Sequence, residues 1–141
     1  MALEELYKEV ILEHYKNPRN KQALPDADVT SSQNNPLCGD EITIHARLAD
    51  GRVAAVTFEG RGCSISQASA SMLTESVGGK PVKEAEALAA DFRGMMQGAV
   101  DADEDLFGDL VALKGVVKYP VRIKCAVLAW DVLQEALAST E

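Results

Sequence analysis

Cysteine, histidine and aromatic residues are scarce in this chain: three Cys, two His, one Trp, three Tyr and three Phe among 141 residues. Three cysteines cannot all pair within one chain, so a small disulfide-built scaffold is excluded. No run of about 18 apolar residues is present, which excludes a helical membrane span. The first residues lack a basic stretch followed by roughly 7 to 15 apolar positions, so no signal peptide is expected. The expected compartment is the cytoplasm, where cysteines stay as thiols. Positive charge is also short, with 14 Lys plus Arg against 22 Asp plus Glu and a net charge of -8. That balance repels a phosphate backbone, and neither nucleic acid nor membrane is an expected partner. The acidity is concentrated between Glu84 and Asp109, where Arg93 is the single positive side chain. Such a stretch reads as a solvated surface or as a docking face for a basic partner. At this length residues 1–141 are expected to form one domain with its own core.

Apolar spacing places the elements. Leu3, Leu6, Tyr7, Val10, Ile11 and His14 recur at three- and four-residue intervals, predicting a helix that Pro18 and Asn20 end. Residues 17–28 read as a connector, and Val29 to Ser32 as a short polar edge strand. Ile42, Ile44, Ala46 and Leu48 then alternate with polar residues, and Asp50-Gly51 offers a two-residue turn into a partner strand, Val53 to Phe58. After Gly60 and Gly62 the period changes. Ser66, as cap, opens a helix carrying Ala70, Leu73 and Val77 up to Gly78-Gly79. A further helix is predicted over Val82 to Met96, a short one around Leu106 to Leu113, and a last one from near Arg122. The order predicts an α+β fold of two layers, a small antiparallel sheet of about three strands under helices.

The chemistry lies in three thiols and one carboxylate. Cys38 precedes the hairpin, Cys63 follows it at a helix start, and Cys125 falls in the first turn of the last predicted helix. A helix start favours thiolate. Each cysteine alone reads equally as a small buried residue. Cys38-Gly39-Asp40 shifts the balance, because glycine permits a tight turn and both flanking side chains can then face one ion. Three thiolates and a carboxylate form a four-coordinate set acceptable to Zn²⁺ or to iron. Arg122, Arg61 and Lys124 are placed to offset the negative cage, or are ordinary solvent-facing bases. The intervals between the cysteines match no common zinc-finger spacing. Gly60-Arg61-Gly62 and Gly78-Gly79-Lys80-Pro81 complete neither a dinucleotide nor a phosphate loop. His14 is expected to be packed or hydrogen-bonded, and His45 to face solvent.

Four stretches together carry a resemblance: "LYKEVILEHYKNPRN" at 6–20, "NPLCGDEI" at 35–42, "FEGRGCSISQASASML" at 58–73 and "YPVRIKCAVLAWDVL" at 119–133. The chain resembles the NifU/IscU-like iron-sulfur cluster assembly proteins, most closely those of the SufU type, over almost its full length. The resemblance implies the NifU N-terminal/IscU-like fold and the ligand set Cys38, Asp40, Cys63 and Cys125. Lys124 stands where IscU proteins carry histidine, and the segment between Cys63 and Cys125 is longer, around residues 94–115. Both departures favour a zinc-bound sulfur-transfer protein over a direct cluster scaffold. The implied mechanism uses a pyridoxal-phosphate-dependent cysteine desulfurase of the SufS type as donor. The zinc exchanges one thiolate for a group on the desulfurase, and freed Cys38 accepts the persulfide sulfur. Arg122 assists docking or ligand exchange, and downstream cluster scaffolds receive the sulfur. Two alternatives stay open: a scaffold for a transient [2Fe-2S] cluster on the same ligands, and a structural zinc module for protein interaction.

Overall fold

The computed structural model describes residues 3–37 and 39–140. Cys38, and the place predicted for the Leu3 side chain, lie outside the described residues. Helix α1 spans Leu3–Lys16, strands β1, β2 and β3 span Val29–Asn35, Asp40–Ala49 and Arg52–Arg61, and α2 spans Ser64–Val77. Then come α3 (Val82–Met96), α4 (Glu104–Phe107), a 3-10 helix (Gly108–Val116) and α5 (Pro120–Ala138). Among the described residues, no helix is long and apolar enough to cross a membrane.

The three strands form one antiparallel sheet in the order β1-β2-β3. Asp50 and Gly51 both take positive φ, 54° and 74°, as a two-residue turn matching the twist of the strands requires. Ile42, Ile44 and Ala46 alternate inward on β2 and are fully buried. On β3 the alternation breaks, because Val53 and Val56 are three apart yet both point inward. A register shift beside Arg47 and Leu48 explains it: Ala55 pairs with Arg47 and Val53 with Leu48, leaving Ala54 as the extra residue of a bulge.

Helices α2 and α5 cover the apolar face of the sheet, α1 and the 3-10 helix flank α2, and α3 packs on α5. Helix α2 occupies the centre and is buried on most of its circumference, including Ser66, Gln67, Ser69, Ser71 and Thr74. Small side chains let its neighbours approach, and their hydroxyls find partners. Ser69 Oγ donates to the Ala126 carbonyl at 2.6 Å and accepts from Trp130 Nε1 at 3.2 Å, joining α2 to α5. The Trp130 ring stacks on Phe92 of α3 with centroids 4.9 Å apart.

Several boundaries differ from expectation, among them β3, which runs on to Arg61, and α2, which starts at Ser64. β1 runs three residues beyond Ser32, because polar Gln33, Asn34 and Asn35 pair with Ile42, Glu41 and Asp40 at the sheet edge. The last helix starts at Pro120, a residue suited to a first helical position, two residues before the predicted start. The predicted short helix is instead α4 followed by the 3-10 helix, whose first residue, Gly108, takes φ 56°.

Candidate metal centre

One end of the sheet, the start of α2 and the second turn of α5 meet at a single point. Asp40, the first residue of β2, is fully buried. Cys63 is the residue capping α2, and its Sγ accepts from the Ser66 N–H at 3.5 Å. The predicted cap, Ser66, is instead inside the helix, with its hydroxyl turned back to the Cys63 carbonyl at 3.1 Å. Cys125 is fully buried. With α5 starting at Pro120, it lies in the second turn and not the first, so its thiol is set by packing rather than by the orphan amides of a helix end. The thiol donates to the Val121 carbonyl at 3.7 Å.

The donor atoms of Asp40, Cys63 and Cys125 all lie within 4.8 Å of one another, and Cys63 and Cys125 are both thiols. Asp40 Oδ1 accepts the Cys63 N–H at 2.8 Å, and the Cys63 thiol approaches Oδ2 at 3.8 Å. A fully buried carboxylate with one short hydrogen bond is well suited to a cation, and two soft thiols beside it suit zinc or iron. The donor set therefore passes a chemical test of fit for a metal.

Local backbone makes this convergence possible. Gly39 has φ 70° and closes the 35–39 turn through its N–H to the Asn35 carbonyl at 2.9 Å. Gly62 has φ 145°, and a Cβ there would come within 2.2 Å of Asp40 Oδ1. The glycine before Cys63 is what allows the carboxylate to reach across the strand end.

Asn35 is a site residue that sequence reasoning overlooked. It is buried, its Oδ1 accepts the Leu37 N–H at 3.2 Å, and its Nδ2 points to Cys125 Sγ at 4.0 Å. The signal was available, since Asn before Pro starts turns by this side-chain bond.

The basic residues are arranged less simply than predicted. Arg61 Nε pairs with Glu41 at 2.9 Å, at the exposed end of β3. Arg122 and Lys124 are exposed, whereas Cys125 faces inward, so Arg122 sits beside the site on a neighbouring face. An apolar groove runs away from Cys63 along Ile65, Val116, Tyr119 and Val121, edged by Lys118 and Arg122. Leu37, Tyr119 and Val121 are each more than half exposed. The histidines behave as expected in part: His14 is buried and bonded, while His45 faces outward to Thr30 and Glu59.

Comparison with known proteins agrees with this geometry. Residues 6–140 match the NifU-like N terminal domain. The chain is 48% identical over 139 residues to a zinc-dependent sulfurtransferase SufU of Bacillus subtilis, covering 99% of this chain and 94% of the relative. It is 40% identical to an iron-sulfur cluster assembly scaffold protein IscU of Streptococcus pyogenes, over 96% of this chain and 84% of the relative. Among solved structures, a SufU of Fervidobacterium islandicum, described as a cluster assembly scaffold protein for the SUF system, superposes with TM-score 0.87. Its identity is 32%, over 96% of this chain and 99% of that one. A NifU-like N-terminal protein of Brucella abortus gives TM-score 0.86 at 25% identity, over 96% and 94% of the two chains. With the match running almost end to end and the fold the same, the chain belongs to the family of NifU-like N-terminal domains.

Proposed function

We propose that this protein is a zinc-dependent sulfurtransferase of iron-sulfur cluster assembly, taking persulfide sulfur from a pyridoxal-phosphate-dependent cysteine desulfurase onto Cys38. The observation that carries this reading is the meeting of Asp40, Cys63 and Cys125 donor atoms within 4.8 Å at one end of the sheet. Cys38 is two residues from Asp40, across Gly39, and is assigned as the fourth member of the set. The similarity to the B. subtilis sulfurtransferase, and Lys124 before Cys125, support the sulfur-transfer branch.

Zinc held by these four residues would keep the thiols deprotonated and shielded until a donor arrives. Asp40 and Cys63 are fixed to each other through the Cys63 N–H, and the resemblance to SufU-type proteins assigns Cys38 as the member that reacts. Its thiolate attacks the outer sulfur of the donor persulfide. A new S–S bond forms on Cys38, the S–S bond to the donor cysteine breaks, and that electron pair leaves with the donor thiolate. Sulfur moves with no external oxidant or reductant. The exposed Leu37, Tyr119 and Val121 beside the site offer apolar area for the donor, with Arg122 at the rim to assist docking.

The test is Cys38→Ser, assayed for zinc content, desulfurase binding and persulfide formation with radiolabelled cysteine. Loss of sulfur transfer is expected, with desulfurase binding kept and zinc held more weakly by the remaining Asp40, Cys63 and Cys125. Wild-type transfer by that variant would overturn the assignment. The second reading, a scaffold for a [2Fe-2S] cluster as cargo, is favoured by the IscU relatives and by a carboxylate among the donors, a weak ligand suited to a cluster that leaves. Anaerobic reconstitution followed by cluster transfer to an acceptor protein separates the two. A purely structural zinc module would accept no persulfide at all.

A further inference from the structure

We propose a second metal site, formed by His14, Glu75 and Asp109, that takes a first-row divalent cation through one imidazole nitrogen and two carboxylate oxygens. His14 is 1% exposed, yet both ring nitrogens are engaged. Its Nδ1 lies 2.8 Å from Ser71 Oγ, which also accepts the Arg19 N–H at 2.9 Å. Its Nε2 faces Asp109 Oδ2 at 3.0 Å and Glu75 Oε1 at 3.8 Å. All three donor atoms lie within 4.8 Å of one another.

These spacings suit an ion. Four ligands at about 2.0–2.1 Å from zinc in a tetrahedron stand about 3.3–3.4 Å apart, and the two observed separations from Nε2 fall on either side of that value. The carboxylates have side chains 49% and 63% exposed, so small rotations bring them in and a solvent face remains for water to complete the shell. The histidine is the fixed member. Metal-bound histidines characteristically have the other nitrogen held by a protein group, which Ser71 provides. In that state Nδ1–H donates to Ser71 Oγ, and Nε2 gives up its proton role toward Asp109.

Charge favours occupation as well. Two carboxylates converge on one imidazole, and a doubly charged cation bound through Nε2 would balance them. Arg19 Nε stands 3.6 Å from Glu75 Oε1, but Arg19 is shared with Glu13 at 3.3 Å and stays paired when Glu75 turns. His45 gives an internal contrast, since its Nε2 meets a single carboxylate, Glu59, at 2.7 Å. The site is separate from the thiol centre: Cys63 and Glu75 are twelve residues apart along α2, about 18 Å at 1.5 Å per residue. Its ligands come from α1, α2 and the 3-10 helix, so a bound ion would fasten the segment Gly108–Val116 to the N-terminal half.

The experiment is zinc titration of the full chain by equilibrium dialysis, in the wild type, Asp109→Asn and Glu75→Gln, with ring nitrogens of the two histidines followed by ¹⁵N NMR. Both substitutions are at half-exposed side chains and leave the fold in place. Two zinc equivalents in the wild type and one in each variant are expected, with His14 Nε2 shifting and His45 unmoved. One equivalent in the wild type and none in the variants would keep this site and remove the thiol centre. Equal stoichiometry in all three proteins, or an unmoved His14 ring at saturating zinc, would overturn the proposal.

Discussion

Replacing Gly62 by alanine should cost far more than the same change at Gly98, although both glycines have positive φ, 145° and 79°. At Gly98 nothing lies within 4 Å of the added Cβ, so the cost is the backbone term alone, about 1–2 kcal/mol. At Gly62 the Cβ would stand 2.2 Å from Asp40 Oδ1 and 2.8 Å from Asp40 Cα. Asp40 cannot retreat easily, being buried and paired with Asn35 across the sheet. Its carboxylate must rotate away, breaking the 2.8 Å bond from the Cys63 N–H, a charge-assisted bond of about 1.5–3 kcal/mol. With backbone strain of about 1–3 kcal/mol, the total is about 2.5–6 kcal/mol. Urea unfolding with a chelator present isolates this folding cost, and competition with a chromophoric chelator measures zinc affinity separately. Gly62→Ala should lose both stability and zinc. A midpoint matching Gly98→Ala, with wild-type zinc affinity, would refute the role given to this glycine.

Asp40→Ala should weaken zinc binding at least about tenfold in the same chelator competition, and unchanged affinity would remove Asp40 from the ligand set. Trp130→Phe deletes the bond to Ser69 Oγ and leaves a void between α2, α3 and α5, for a loss of about 2 kcal/mol in urea unfolding. Asp131 gives a pH prediction. Burial raises its pKa above 3.8, and Arg93, whose Nη2 lies 2.9 Å from Oδ1 but out of line for a hydrogen bond, lowers it in part. The folded state therefore holds the proton more tightly, so this group's contribution to stability declines as pH rises from the unfolded value through the raised folded value. Relative to Asp131→Asn, the wild type should lose stability across that window; a pH-independent difference would contradict it.

The hairpin and three of the helices were legible because periodicity and turn chemistry agreed there, with Asp50-Gly51 between alternating runs and Gly78-Gly79 after a helical one. The bulge at Ala54 was hidden, since one extra residue shifts the register without changing composition. Cys125 was placed a turn too early because the helix was started at Arg122 and Pro120 was not used as a first helical position. Asp40, Cys63 and Cys125 could be singled out from the sequence, but their convergence could not: Asp40 meets Cys125 only through the docking of α5 on β1 and β2. Asn35 went unnoticed because, although Asn before Pro marked a turn, its contact with Cys125 lies 90 residues away. His14 was recognised as packed, while Glu75 and Asp109, distant in sequence, gave no sign of meeting it.

The dispersal of the thiol centre along the chain also orders events during folding. Asp40 and Cys63 belong to the hairpin and the helix that follows it, a local unit whose members find each other early. Cys125 arrives only when α5 has settled across β1 and β2, closing a loop of more than sixty residues. A chain in which α5 has not docked lacks Cys125 beside Asp40 and Cys63 and presents an incomplete set of donors. With zinc held as proposed, metal capture would then report that the C-terminal helix is in place.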